Sequence, residues 1–314
     1  MNRFAVSFLV ANVIGVFFLW LTARTLPLEA IQAYMQRADL GHLALWSGVY
    51  VLVYAVCHGA RVVRWYDLVR PLADIPAWRV HRVCVVGFAA ILLLPLRLGE
   101  VVRPYLLARR ASISTSAALG TAVVERVIDG LVMTGLLFVT LATYRGARAT
   151  GVAVSMGLFS AVIFLGALAV CLLAWWRKAR TVELVRGMVG VFSRSLGDGL
   201  AGILGEFIEG FKGLLQGRAM GRFVGLTVFY WGTNAASMWL LARFGFGLDV
   251  SAWDMAAVMA LLVLGIMLPS GPAMAGNFEF FMVRALGLFV AVEVAEVGAP
   301  AGAFAATVHV LQFL

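Results

Sequence analysis

The sequence predicts an all-α fold, a polytopic membrane helical bundle of about seven to eight helices with two re-entrant segments. Of its 314 residues, 62% are hydrophobic and only 13% are charged, whereas a soluble domain has about 45–50% apolar and about 25% charged residues. Apolar runs near the roughly 20 residues that span a bilayer recur along the chain. The basic residues behind its net charge of +9 cluster between these runs, as membrane topology requires. These observations exclude a soluble enzyme, and we expect no nucleic-acid partner.

Five apolar runs qualify as membrane-spanning helices. They are Phe4–Leu21, Leu43–Ala60, Ala117–Thr143, Val152–Trp176 and Phe223–Ala242. We expect the first run to be retained, because Arg24 places a charge where a signal-peptide cleavage site would need small residues. Residues 1–314 are therefore interpreted as a single integral membrane domain.

Two further apolar runs are shorter, and each ends in a segment broken by proline and glycine. Val83–Leu96 and Met255–Leu268 each contain 14 residues, which as helices cover about 21 Å of a roughly 30 Å hydrocarbon core. The interrupting residues are Pro95 and Gly99 in the first segment and Pro269, Pro272 and Gly276 in the second. Lipid cannot satisfy the backbone groups that such breaks free. We therefore expect both segments to be re-entrant, with the breaks buried in protein or lining a wet cavity.

The distribution of basic residues favours re-entry of Val83–Leu96 over a full crossing. With a cytoplasmic N-terminus and a returning segment, 18 Lys and Arg residues lie on the cytoplasmic side and five on the outer side. The cytoplasmic set includes the five arginines in residues 61–82 and the four in residues 97–116. The positive-inside rule predicts such a bias, and a full crossing would remove most of it. We expect a multi-pass protein of the bacterial inner (plasma) membrane.

Residues 177–222 form the least apolar long segment of the chain and carry eight Lys and Arg residues. Apolar residues recur there every three or four positions, which predicts an amphipathic helix pair at the cytoplasmic interface. We interpret the segment as a connector within the domain. The glycines at 197, 199 and 202 match a dinucleotide-binding pattern, but no strand precedes them, so no cofactor is expected.

Charged residues beside the first broken segment form one part of the candidate site. Arg97, Glu100 and Arg103 are spaced at i, i+3 and i+6 and share roughly one face if the segment is helical. Two guanidinium groups beside one carboxylate suit an anionic headgroup, since arginine can hold phosphate bidentately.

A second part of the candidate site lies inside the 27-residue apolar run Ala117–Thr143. Glu125, Arg126 and Asp129 are charged residues within it, and charges at that depth cost several kcal/mol unless they are paired or hydrated. They are therefore candidate functional residues. An ion-pair cluster that fixes helix packing against Arg97 or Arg103 explains them equally well.

Glu279 follows the second broken segment and completes the candidate site. Paired broken segments in two halves of a chain point to a transporter site near the membrane midplane. The alternative for Glu279 is a cap on the helix that begins there. The three cysteines and four histidines show no metal-binding or disulfide spacing. We expect no metal, and we interpret the histidines as packing or interface residues.

At these residues the chain resembles the flippase-like membrane domain of the lysylphosphatidylglycerol synthase family. The family's Pro-x-Arg-x-Gly-Glu-x-x-Arg element is matched by residues 95–103, and its Glu-Arg-x-x-Asp element by residues 125–129. Its late Pro-x-x-Pro-Gly-Gly-x-Gly-x-x-Glu element is matched in part by residues 269–279. Ala273 and Met274 stand in place of the glycine pair.

The resemblance implies the membrane half of that family, which moves a modified or glycosylated lipid between leaflets, without the synthase domain. The expected function is to translocate or handle an anionic or modified lipid of the lysyl-phosphatidylglycerol or glycolipid kind. We expect Arg97 and Arg103 to hold the anionic part of the lipid, with Arg126 beside them. The carboxylates that would balance or gate this charge are those of Glu100, Glu125, Asp129 and Glu279.

Two other functions stay open, and of these only the transferase departs from the expectation that the protein is not an enzyme. A non-catalytic accessory subunit would recruit a cytoplasmic lipid-modifying enzyme through residues 177–222. A membrane-embedded transferase would use Glu125 or Asp129 as its base. The lipid, the direction of movement and the oligomeric state are not determined by the sequence.

Overall fold

A computed structural model of the protein describes residues 13, 16–18, 20–24, 28–94, 98–143, 150–215, 217–267, 272–289 and 294–312. Within these ranges the chain is almost entirely helical and contains no strand. The predicted all-α class is therefore confirmed. Most of the predicted span Phe4–Leu21 lies outside the described residues, and so do Pro95, Arg97 and Pro269.

The described ranges contain twelve helices of ten or more residues. They are α1 (Leu28–Arg37), α2 (Leu40–Val69), α3 (Ala77–Leu93), α4 (Gly99–Ala108), α5 (Thr115–Thr143), α6 (Thr150–Trp176), α7 (Lys178–Gly190), α8 (Arg194–Glu209), α9 (Gly217–Leu240), α10 (Ala252–Ile266), α11 (Asn277–Phe289) and α12 (Val294–Leu311). Short 3₁₀ turns follow α8 and precede α11, and a π-helical turn ends α9.

Four of the predicted spans fall within long helices: α2, α5, α6 and α9 with its π-helical turn. Leu40–Val69 and Gly151–Trp176 are the described helices long and apolar enough to cross a membrane by length and composition alone. α5 is nearly as long as α2 but carries three charged residues near its middle. α6 is the helix with the most outward-facing apolar surface, including Phe159, Val162 and Val170, which suits contact with lipid chains.

α3 and α4 fold back on each other around the first broken segment. A Cβ atom on Gly87 would lie 2.6 Å from the Cβ of Arg103, and one on Gly99 would overlap the backbone of Ile91. Gly87 therefore lies beside Arg103, and Ile91 lies beside Gly99. Because the order along the two helices is reversed, α4 runs antiparallel to α3. The 17 residues of α3 span about 25 Å, less than the hydrocarbon core. This hairpin has the shape expected of a re-entrant segment, and its depth in the membrane stays a prediction.

α10 and α11 form a second hairpin around the second broken segment. The two helices pack together, and Gly265 approaches the ring of Phe281 so closely that a Cβ atom would overlap it. The short 3₁₀ turn Pro272–Met274 in this segment also contacts α3. The two hairpins, which are far apart in sequence, therefore meet inside the bundle.

The basic segment forms the predicted helix pair, α7 and α8, which pack against each other. The C-terminal half of α8 is anchored on α5, with Ile208 buried and the Phe207 carbonyl against Gly120. The loop end of the pair is free of the bundle, and Phe192 there is 90% exposed. Its position relative to the membrane stays a prediction.

Candidate functional site

Charged side chains from α2, α4 and α5 form a buried ion-pair cluster at the centre of the bundle. Its members are Arg64, Arg103, Glu125, Arg126 and Asp129. Arg64 and Glu125 are completely inaccessible to solvent, and the side chain of Arg126 is the most exposed of the five. The cluster joins three helices through charges that lipid cannot solvate.

The carboxylate of Glu125 is shared by three guanidinium groups. Arg64 Nη2 donates to Oε1 at 2.8 Å, and Arg103 donates to Oε2. Arg126 Nη2 lies 3.3 Å from Oε1. Glu125 and Asp129 are one turn apart on α5, so they present one acidic face to the arginines.

Three side chains interact with the carboxylate of Asp129. Both guanidinium nitrogens of Arg64 donate to it, one of them to Oδ2 at 3.0 Å. Arg126 Nη2 lies 3.0 Å from the same oxygen, and Trp231 Nε1 donates to Oδ1 at 3.1 Å. Trp231 brings α9 into the network, which Thr227 also joins by accepting from Arg64 at 3.2 Å.

A cavity of about 110 Å³ borders this cluster where the two hairpins meet. Its polar lining comes from His58, Arg61, Arg126, Asp129, Asn234 and Gln312. Its apolar lining includes Met238, Met259, Leu262, Met267, Met274 and Phe278. The cavity is therefore lined by polar side chains, most of them from α2 and α5, and by a flexible, methionine-rich apolar set, most of it from α10, α11 and the segment between them.

Arg61 is the arginine of this region that forms no ion pair with a described carboxylate. It lies one turn before Arg64 on α2 and lines the cavity. Its guanidinium stacks 4.1 Å from the Phe88 ring centroid, and its buried Nε has no hydrogen-bond acceptor. Glu100 lies 3.9 Å from Arg126 at the edge of the cluster. Among the described side chains, four arginines here face three carboxylates, which leaves one surplus positive charge.

A protein-family comparison matches residues 4–314 to the lysylphosphatidylglycerol synthase TM region. The chain belongs to this family. It is therefore a membrane protein, and its family is a transmembrane region associated with lipid metabolism. Searches of curated proteins and of solved structures give no match.

The family's first two motifs meet in the ion-pair cluster. Arg103 and Glu125 form an ion pair, and Gly99 permits the close approach of α4 to α3. Arg103 is 2% exposed and stacks 4.2 Å from the Trp65 ring centroid, and it does not line the cavity. Among the described residues, the arginines that line the cavity are Arg61 and Arg126.

Sequence reasoning missed Arg61 and Arg64 because it ended the membrane span at Ala60 and counted both as loop residues. α2 continues to Val69, so these two arginines and Arg103 lie inside the bundle. Taking the three from the 18 cytoplasmic residues leaves 15 against five, and the bias persists. The signal that was available is the set of apolar residues that continues after Ala60 between the charged ones and includes Trp65, Leu68 and Val69.

The family's third motif forms a hydrogen-bonded unit separate from the cluster. Glu279 accepts from the backbone N–H of Gly276 at 2.8 Å, so it caps α11 in the manner of a capping box. Its other oxygen lies 2.5 Å from His309 Nδ1, and His309 Nε2 donates to the Ala273 carbonyl at 2.7 Å. The hydrogen bond that the capping alternative predicts for Glu279 is therefore present, and its role in substrate binding stays a prediction. His309, expected to be a packing or interface residue, connects α12 to the broken segment through these two contacts.

The backbone of this motif keeps the conformation that the family's glycine pair allows. Ala273 and Met274 have φ angles of 58° and 56°, in the left-handed region that costs non-glycine residues about 1–2 kcal/mol. The hydrogen bond from His309 to the Ala273 carbonyl helps hold this turn. Ala273 and Met274 therefore hold, with some strain, a turn that glycine would adopt without the Cβ penalty.

Proposed function

We propose that this protein moves a lipid with an anionic headgroup between the leaflets of the bacterial inner membrane, as a multi-pass protein with a cytoplasmic N-terminus. The observation that carries the proposal is the surplus positive charge of Arg61 in a cavity lined by both basic and apolar side chains. A lipid likewise combines a charged phosphate with apolar acyl chains. Guanidinium groups suit phosphate oxygens.

The meeting of two broken hairpins at this cavity supports transport. Broken helices that converge from two halves of a chain are typical of transporter sites. Irregular backbone at membrane depth is tolerated where it is buried in protein or lines a wet cavity. In this proposal the hairpins α3–α4 and α10–α11 are the elements that rearrange as the lipid passes.

The pairing of the carboxylates favours transport over a transferase. A catalytic base needs an acceptor oxygen that can reach a substrate proton. Glu125 and Asp129 instead accept from two or three cationic donors each. The accessory-subunit alternative depends on the exposed face of α7 and α8 and needs no occupant in the cavity.

Lipid movement in proteoliposomes tests the proposal. The wild-type protein should carry fluorescently labelled phosphatidylglycerol to the opposite leaflet, where an impermeant quencher no longer reaches it. Arg61→Gln should reduce the rate about tenfold or more, because one charge-assisted phosphate contact is lost. Arg79→Gln, which removes the same charge from the exposed start of α3, is the matched control and should retain the rate.

Two results would contradict translocation. No movement by correctly folded wild-type protein would favour the accessory subunit. A lipid species missing from cells that lack the protein, detected by mass spectrometry, would favour the transferase.

A further inference from the structure

We infer that the central cavity selects headgroups with a net negative charge and discriminates against aminoacylated headgroups that carry an ammonium group. The inference rests on the proposed function and narrows its substrate class. It depends on which carboxylates, aromatic faces and hydrogen-bond donors of the described side chains around the cavity are already bound to other residues.

No carboxylate next to the cavity is available to a ligand ammonium among the described side chains. Glu125 and Asp129 are each shared by two or more guanidinium groups. Glu100 faces Arg126. Glu279 is bound by the Gly276 N–H and by His309. A lysyl headgroup would therefore have to displace an existing ion pair inside the bundle.

Of the five Phe, Tyr and Trp rings described in the cavity lining, four already carry a cation or stack on another ring, and the fifth, Trp231, contacts Tyr230 edge to face. A cation on an aromatic face is the usual alternative to a carboxylate. Here the guanidinium of Arg61 lies 4.1 Å from the Phe88 ring centroid, and that of Arg64 lies 4.9 Å from the Tyr230 ring centroid. Phe278 is stacked on His309 at 4.6 Å, and Tyr54 is stacked on Tyr50.

The cavity instead offers donors and a surplus positive charge. Arg61 has a buried Nε without an acceptor, and no described carboxylate lies within 4.0 Å of its guanidinium. A phosphate bound in the cavity would neutralise this charge. An added ammonium would place two like charges in a site of low dielectric, where their repulsion is strong. Charge balance thus favours phosphatidylglycerol over its lysyl ester.

Competition between two lipids with identical acyl chains tests the inference. Purified protein is incubated with equimolar phosphatidylglycerol and lysyl-phosphatidylglycerol, and bound lipid is counted by native mass spectrometry. Wild-type protein should bind phosphatidylglycerol at least about tenfold better. Arg61→Gln should remove most of this preference, and Arg61→Glu should reverse it. Arg79→Glu, the same reversal on the surface of α3, should leave the preference unchanged.

The outcomes separate the inference from the proposed function. Equal binding of the two lipids, or preference for the lysyl ester, by wild-type protein that moves phosphatidylglycerol overturns the inference alone. A preference that Arg61→Glu leaves intact overturns the role of Arg61 and with it the inference. Absence of both binding and movement overturns the proposed function and the inference together.

Discussion

Arg61 and Arg64 lie about one turn apart on α2 but have opposite surroundings. Arg64 is inaccessible to solvent and donates to Glu125 and Asp129. Arg61 has an aromatic ring beside it and no described carboxylate partner. The first arginine therefore stabilises the bundle, and the second leaves its charge available at the cavity.

Replacing these two arginines by methionine should separate stability from function. Arg64→Met removes a buried cationic partner from Glu125 and Asp129, which should cost about 3–5 kcal/mol of folding free energy. Arg61→Met should cost less than about 1 kcal/mol, because it breaks no described ion pair. Thermal unfolding of both variants in one detergent checks this. Equal losses of folding free energy would mean that Arg64 does not stabilise the bundle more than Arg61 does.

The turn at Ala273 and Met274 offers a test of backbone strain. Ala273→Gly should raise stability by about 1 kcal/mol, because glycine adopts a positive φ without the Cβ penalty. Ala275→Gly, two residues away and without a positive φ, is the matched control. It should be neutral or destabilising. A lower melting temperature for Ala273→Gly would show that the turn is not strained in the membrane-embedded protein.

At the scale of elements, the helix pair α7–α8 exposes a long apolar face outside the bundle. Leu184, Met188, Val191, Phe192 and Leu196 are all more than half exposed. The opposite face carries the ion pair between Arg186 and Asp198 at 3.0 Å. An apolar face flanked by basic residues is typical of a helix that lies in the membrane interface.

We expect the loop end of this pair to insert into the cytoplasmic leaflet. An environment-sensitive fluorophore on Phe192→Cys should be quenched by nitroxides on lipid chains, whereas the same label on Asp198→Cys should be quenched by aqueous iodide. The described native cysteines, Cys57, Cys84 and Cys171, are all buried, so labelling of the introduced cysteine should be selective. A water-exposed label at both positions would instead support a docking surface for a cytoplasmic enzyme.

At the scale of the whole molecule, the two ends of the first hairpin lie together. Arg79 at the start of α3 and Arg109 and Arg110 after α4 line one surface cleft. The two ends of the hairpin are therefore close together, as re-entry requires, and re-entry into the membrane stays a prediction. Arg243 and Asp249, paired in the loop after α9, belong to the side predicted to face outward.

Cysteine labelling of intact and inverted vesicles tests this topology. Arg79→Cys and Arg110→Cys should both react with an impermeant maleimide from the cytoplasmic side. Asp249→Cys should react from the outer side. Reaction of Arg79→Cys and Arg110→Cys from opposite sides would contradict re-entry, and reaction of all three from the sides opposite to those predicted would invert the assigned orientation.

Composition and periodicity determined much of this protein without tertiary information. They predicted the all-α membrane class, the long helices, the amphipathic pair and the two broken segments, because these depend on residues that are neighbours along the chain. The intramembrane charges of Glu125 and Asp129 were also evident, because each charge interrupts an apolar run. The glycine that α4 needs against α3 was visible as part of a motif.

Only the tertiary structure decided which charges are paired and which one is left over. Arg64 lies 61 and 65 positions from the carboxylates that it binds, and His309 lies 30 positions from Glu279. Whether a buried charge is neutralised depends on distances of a few ångströms between helices, and no local pattern encodes them. The role of Arg61 therefore follows from the packing of α2 against α3 and α5, since its charge is available where its neighbours' charges are not.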